Sequence, residues 1–155
     1  TPLYSSAASD VYKRQLQSIH LVSRHLQERF LVIDADTVVE PASFNAFMVA
    51  ASECTQLIGI SRYTTSDGVR VLLDETAACV TAFTRAPEHA WEWTGIAVID
   101  PAVVVDKPIY VYQALEGSLP MRAAEIKAFD IDTIADLDMA RQVLADGWPD
   151  RDNYA

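Results

Sequence analysis

Two stretches 96 residues apart are built alike, and together they constrain the fold more than any other feature of the chain. Phe30–Ala35 (FLVIDA) and Lys127–Ile131 (KAFDI) are short apolar runs. Each enters an Asp-x-Asp, Asp34-Ala35-Asp36 or Asp130-Ile131-Asp132, and each opens a strand-to-helix connection. Short apolar runs of this kind read as strands, and FLVIDA reads as one buried on both faces, the mark of a parallel sheet. Ligands of open α/β sheets bind beyond the carboxyl ends of the strands, which is where both acidic pairs fall. Strand alternation puts Asp34 and Asp36 on one side, and Asp130 and Asp132 likewise. On neighbouring parallel strands, Asp36 and Asp132 could face one cation. Carboxylates are costly to bring together unless a cation lies between them. Mg²⁺ takes one or two, with waters and phosphate oxygens completing its octahedron. Each pair also has a plainer reading. Asp36 or Thr37 can cap a turn, and Asp132 can answer the free N–H groups and dipole of a following helix.

The rest of the pattern is that of an α/β domain. Leu16, Ile19, Val22 and Leu26 form an apolar stripe, so Leu16–Glu28 is expected to be an amphipathic helix. Pro41 suits a first helical position, and Phe44, Phe47, Met48 and Ala51 continue a helix to Ser52. Leu57–Ser61 is the next strand, giving helix, strand, helix, strand. Val69–Leu73 and Val80–Thr84 read as strands, with Asp67-Gly68 turning before them. Trp93–Ile99 is another strand, ended by Asp100-Pro101, and Pro108–Leu115 is a short helix. Thr133 and Asp136 form a variant capping box for a last helix. Its expected face is Ile134, Leu137, Ala140, Arg141 and Leu144, with Gly147 and Pro149 ending it.

At 155 residues, half of them hydrophobic, the chain is one domain's worth with enough apolar mass for a core. A net charge of −10 argues against a broad basic face for nucleic acid. No apolar run is long enough to cross a membrane. Cys54 and Cys79 are isolated and fit no disulfide or zinc pattern, which points to a reducing, cytoplasmic setting. Ser5–Gln15, SSAASDVYKRQ, resembles the translation of a transposase adapter common in short-read sequencing libraries. Thr1–Gln15 is therefore expected to be non-native. The domain then spans residues 16–149, with 150–155 a polar tail.

No nucleophile with an adjacent base stands out, and no GxSxG segment occurs. His20 and His25, five apart on a helix, miss the spacing of a metal pair, and His89 falls in a loop. Lys127 and Arg62, each beside a strand, could receive phosphate, as could Arg85 and Arg122. For all four, an exposed surface charge is the plainer reading. Trp91 and Trp93 flank Glu92 and could hold a quaternary ammonium by cation–π attraction, or could simply pack. Gly95 allows a substrate or backbone to approach closely, or marks a bulge.

Three segments carry a family resemblance. FLVIDADTVVEP resembles the strand, metal-binding Asp and following turn of sugar-phosphate and phosphocholine-type nucleotidyltransferases. WEWTGIAVIDP is similar to their substrate-side strand with its Gly, and AFDIDTIADLDMARQVL to their closing Ile-Asp-Thr-x-x-Asp-Leu pattern. Matched by position, the resemblance implies Asp36 and Asp132 as catalytic, Mg²⁺-binding residues and places Gly95 on the substrate-side strand, while Trp91 and Lys127 are substrate-binding candidates from the residue reading above. It implies an α/β, Rossmann-like three-layer sandwich with a mixed, mainly parallel sheet. The implied activity moves a nucleotidyl group, CMP first among them, from a nucleoside triphosphate to a small phosphorylated alcohol or sugar phosphate. Ile134-Ala135 departs mildly from the family pattern. The larger departure is the lack of a Gly-rich nucleotide loop, so the chain is expected to lack the first β-unit and to be inactive by itself. Two other readings stay open: a nucleotide-sugar glycosyltransferase using the Asp-x-Asp, and a non-catalytic α/β module.

Overall fold

The computed structural model describes residues 15–62, 65 and 68–148. It begins in a helix over residues 15–23 (α1). There follow β1 (Phe30–Val32), β2 (Thr37–Val39), α2 (Pro41–Ser52), β3 (Leu57–Ser61), β4 (Arg70–Leu73), β5 (Cys79–Thr84) and β6 (Glu92–Ile99). After a 3₁₀ turn come α3 (Val111–Leu115), β7 (Met121–Glu125), β8 (Ala128–Asp130) and α4 (Ile134–Asp146). Six strands form one sheet in the order β1-β6-β3-β7-β5-β4, and β2 pairs with β8 apart from it. None of the described helices is long and apolar enough to cross a membrane.

The sheet is mixed, and its pairings correct the expectation of a mainly parallel one. Only β3 and β7 pair in parallel; β1–β6, β3–β6, β5–β7, β4–β5 and β4–β6 are antiparallel. β1, β3, β4 and β7 all run one way, but β6 and β5 lie between them and run the other. Of FLVIDA, Phe30–Val32 forms a half-buried strand at the end of the sheet order, paired among the described residues with antiparallel β6 alone.

β6 organises the sheet. All eight of its positions are buried. One of its edges carries β3. The other carries β4 near Glu92, through Arg70 and the bonds Val71 N–H to Trp91 O (2.9 Å) and Trp93 N–H to Val69 O (2.8 Å). Further along it carries β1, through Ala97–Ile99. The β4–β6 contact closes β6, β3, β7, β5 and β4 into a ring. Between the two partners β6 bulges: Ile58 faces Ala97 but Ile60 faces Trp93. The displaced stretch is Thr94–Ile96. Gly95 sits there at φ +71°, a left-handed conformation that favours glycine. The Thr94 hydroxyl donates to Gly59 O at 2.9 Å, satisfying a buried carbonyl at the irregularity.

Three apolar clusters hold the layers together. Leu16, Ile58, Ile60, Val71, Val80 and Trp93 belong to the largest. Phe47 and Ala51 of α2 pack with Leu57, Ile96, Val98 and Ile126 in the second, as the 41–52 periodicity predicts. Phe129, Ala140 and Val143 form the third, under α4. Two stripes depart from expectation. Helix α1 gives way to turns after residue 23, so Leu16 is buried but Val22 is 59% exposed. On α4 the buried face runs through Ala140 and Val143, while Ile134 and Leu144 point to solvent.

The N-terminus of α4 forms as its sequence predicts. The Asp136 amide donates to the Thr133 hydroxyl at 3.2 Å, and the Thr133 amide to the Asp136 carboxylate at 2.7 Å. Thr133→Ala is expected to cost about 1 kcal/mol in urea unfolding; a loss below a few tenths would mean that Asp136 alone secures the helix.

Candidate active site

β1 ends at Val32, so strand alternation does not extend to Asp34 and Asp36. The chain turns instead, with the Thr37 amide reaching Asp34 O at 3.4 Å, and enters β2. β2 lies against β8 with Thr37 opposite Asp130. Beyond that pair, the Ile131 amide donates to Asp36 O at 3.0 Å, and the Thr37 hydroxyl to the Asp130 carboxylate at 2.6 Å. The two Asp-x-Asp segments are thus neighbours, joined by an antiparallel ladder rather than by adjacent parallel strands. Asp36 and Asp132 are both exposed at its open end. The capping of α4 rests on Thr133 and Asp136, with Asp136 also accepting from the Asp132 amide at 3.2 Å.

Asp34 departs from its neighbour Asp36: it is half-buried, with its carboxyl against Gly95 and the Gln15 side-chain Nε2 donating to it. Burial, together with the charges of Asp130, Asp36 and Asp132, pushes its pKa up to about 7, against the pull of the Gln15 hydrogen bond. The four aspartates therefore share one electrostatic neighbourhood. Gln15 is the one residue of the adapter-like segment among the described residues; residues 1–14 lie outside them.

A second charged feature was not read from the sequence. Glu92, 4% exposed at the start of β6, is ion-paired with buried Arg70 of β4. Its carboxylate also accepts from the Thr65 amide (2.8 Å) and hydroxyl (3.0 Å), and Arg70 donates to Thr65 O at 2.7 Å. Burial pushes Glu92 up to about 7; the Thr65 bonds and Arg70 pull it down, and Asp130 adds to the rise. Twenty-two residues separate the partners, and only the closing of the ring brings them together.

The substrate-side candidates separate. Gly95 lies with the aspartates, its backbone against Asp34. Lys127 does not: its ammonium pairs with Glu40 at 3.1 Å and its amide donates to the Ser43 hydroxyl, at the end of the β2–β8 ladder away from Asp130. A residue before a strand flags phosphate and structural pairing alike, and here the acidic N-cap of α2 takes it. Trp91 is half-buried against the largest core cluster with the Arg62 guanidinium 4.1 Å from its ring centroid. Trp93 is in the core, edge-on to Phe83 at 6.1 Å. Glu92 is committed to Arg70, so the trio 91–93 does not form a cage for a quaternary ammonium.

Asp36 and Asp132 suit a hard cation by donor type, and the mutual repulsion felt at Asp34 is of the kind a cation relieves. Among the described residues, no three ligating side chains come together. A cation here would draw two carboxylates from the protein and its remaining ligands from water and phosphate oxygens.

The fold is one shared with solved structures of nucleotidyltransferases. No protein-family profile matches the chain, and no curated protein does. Among solved structures it is similar to the inositol-1-phosphate CTP transferase from T. maritima, with a TM-score of 0.66 at 17% identity over 91% of this chain and 66% of that one. It is also similar to a protein described as a glucose-1-phosphate thymidylyltransferase from Bacillus anthracis, with a TM-score of 0.70 at 12% identity over 89% and 64%. A third is the UTP-bound UDP-glucose pyrophosphorylase from Acinetobacter baumannii, with a TM-score of 0.65 at 12% identity over 87% and 57%. The chain therefore spans less than two thirds of these structures' lengths.

Proposed function

We propose that this chain belongs to a Mg²⁺-dependent nucleotidyltransferase. It would pass a nucleotidyl group, CMP first among the candidates, from a nucleoside triphosphate to a phosphorylated small alcohol or sugar phosphate. The observation that carries this reading is the β2–β8 ladder, which sets Asp36 beside Ile131-Asp132. The fold likeness supports it, as does the CTP transferase among the similar structures. Among the described residues, β1 ends the sheet order.

In the reaction, an acceptor phosphate oxygen attacks the α-phosphorus in line. A new P–O bond forms, the bond to the β-phosphate oxygen breaks, and pyrophosphate leaves. Such transfer needs positioning and charge neutralisation more than a protein nucleophile. When bound, Mg²⁺ would supply that charge neutralisation. Asp36 and Asp132 would hold it, Gly95 lets the aspartate loop close down on β6, and Arg70–Glu92 fixes the start of that strand. The glycosyltransferase alternative would use both carboxylates of Asp34-Ala35-Asp36, but Asp34 is turned against Gly95.

Mn²⁺, a spectroscopic substitute for Mg²⁺, tests the site on this chain. Electron paramagnetic resonance should show a bound ion, and Asp36→Asn and Asp132→Asn should each weaken binding by roughly tenfold or more. Equal affinity in the parent and both variants overturns the assignment. In a longer form carrying a nucleotide loop, pyrophosphate release from four triphosphates against several phosphorylated alcohols and sugars would name the substrates.

A further inference from the structure

The face of Trp91 that could receive a ligand's cation is covered by the chain's own. Arg62 follows the last residue of β3, Trp91 precedes the first of β6, and Ser61 and Glu92 are cross-strand partners. The Arg62–Trp91 stack thus lies one step beyond the ladder, at the carboxyl ends of β1 and β3. The aspartates occupy the same end: Asp34 packs on Gly95, three residues along β6 from Glu92, and Glu92 feels the charge of Asp130.

Two arginines stand at this end in different states. Arg70 is buried and spent on Glu92, whereas Arg62 is exposed and no carboxylate among the described residues pairs with it. A guanidinium laid on an indole is held in one plane, and its in-plane N–H groups stay available. Those groups match the oxygens of a phosphate or carboxylate two at a time. A trimethylammonium group seeks the ring face itself and would have to displace Arg62. The chain carries a net charge of −10, and the four aspartates concentrate negative charge nearby. An anionic ligand needs a local cation to enter such a field.

We infer that Arg62, stacked on Trp91, forms an oxyanion subsite for the acceptor, which therefore presents a phosphate or carboxylate here and not a quaternary ammonium. This rests on the nucleotidyltransferase reading and narrows its acceptor class.

The indole N–H resonances of Trp91, Trp93 and Trp148 report on the subsite, with Trp91→Phe identifying the first. In metal-free titrations, inorganic phosphate or acetate should shift the Trp91 signal saturably, the tighter of the two naming the group recognised. Arg62→Gln should weaken that binding by roughly tenfold or more, and Arg62→Lys should retain part of it. Tetramethylammonium should leave the Trp91 signal of the parent unmoved and shift it in Arg62→Gln, where the ring is bare. The inference is overturned if neither anion moves the signal, if Arg62→Gln binds as tightly as the parent, or if tetramethylammonium binds the parent as well as the anions do. Mn²⁺ titration of the parent is a separate readout: loss of metal binding with anion binding intact counts against the proposed function alone.

Discussion

Arg70→Met should be among the most damaging single substitutions in the chain, lowering unfolding free energy by about 3–5 kcal/mol. It leaves the Glu92 carboxylate buried with its ion partner gone and, among the described residues, only Thr65 to donate to it. Removing both charges, as Arg70→Met with Glu92→Met, should recover most of the loss, because the desolvation cost disappears together with the attraction. The effect should also depend on pH. Glu92 has a folded pKa of about 7, above its ordinary 4.5. Between those values the native state holds a proton that the unfolded chain releases, so this group's contribution to stability is full below 4.5 and declines as pH rises through 7. Losing Arg70 removes a cation that favours the ionised form. The penalty of Arg70→Met should thus be larger at pH 8 than at pH 5, where Glu92 is neutral. Urea unfolding at the two pH values checks this; equal penalties would mean that the pair contributes through packing rather than charge.

The second large effect is expected at Gly95. An added Cβ would lie 2.8 Å from the Asp34 carboxyl carbon and 3.0 Å from its Cβ, on a backbone at φ +71°. The left-handed conformation alone costs a side chain roughly 1–2 kcal/mol, and the contact adds to it. Gly95→Ala should therefore lose about 2–4 kcal/mol in urea unfolding. Gly117→Ala is the control, since a Cβ there meets nothing within 4 Å. Pushing Asp34 off β6 should also disturb Asp36, two residues on, so Mn²⁺ affinity should fall together with stability. If Gly95→Ala behaves like Gly117→Ala, the close approach of Asp34 to β6 is not a feature of the folded protein.

Local signals in this chain were legible, and long-range pairings were not. Helix α2 could be read to its ends because Pro41 starts it and the spacing of Phe44, Phe47 and Ala51 sustains it. β3 could be read because the run Leu57–Ile60 is apolar, and all five strand positions through Ser61 are buried. β7 was missed because MRAAE has neither alternation nor β-branched residues; its strand state comes from lying between β3 and β5. β2 reads in the sequence as part of a turn, being three residues long and, among the described residues, paired with β8 alone. Strand direction was misjudged because an apolar run reads alike whichever way its neighbour points.

The same division holds at the site. That the Asp36 and Asp132 segments are neighbours is legible because each follows a short strand, although the geometry that joins them is an antiparallel ladder. Glu92 could not, since a carboxylate between two tryptophans gives no sign of an arginine 22 residues earlier. The pairing of Lys127 with Glu40 is not legible in the sequence, because Glu40 sits across a ladder of two three-residue strands.

β6 meets Arg70 through Glu92 and, three positions later, Asp34 through Gly95. With every position buried, inserting or deleting a single residue there would turn each following side chain to the opposite face. It would also carry one of the two contacts out of reach. Descendants of this chain can diversify the strand by exchanging side chains in place, but changes of length must be absorbed in the segments on either side of it.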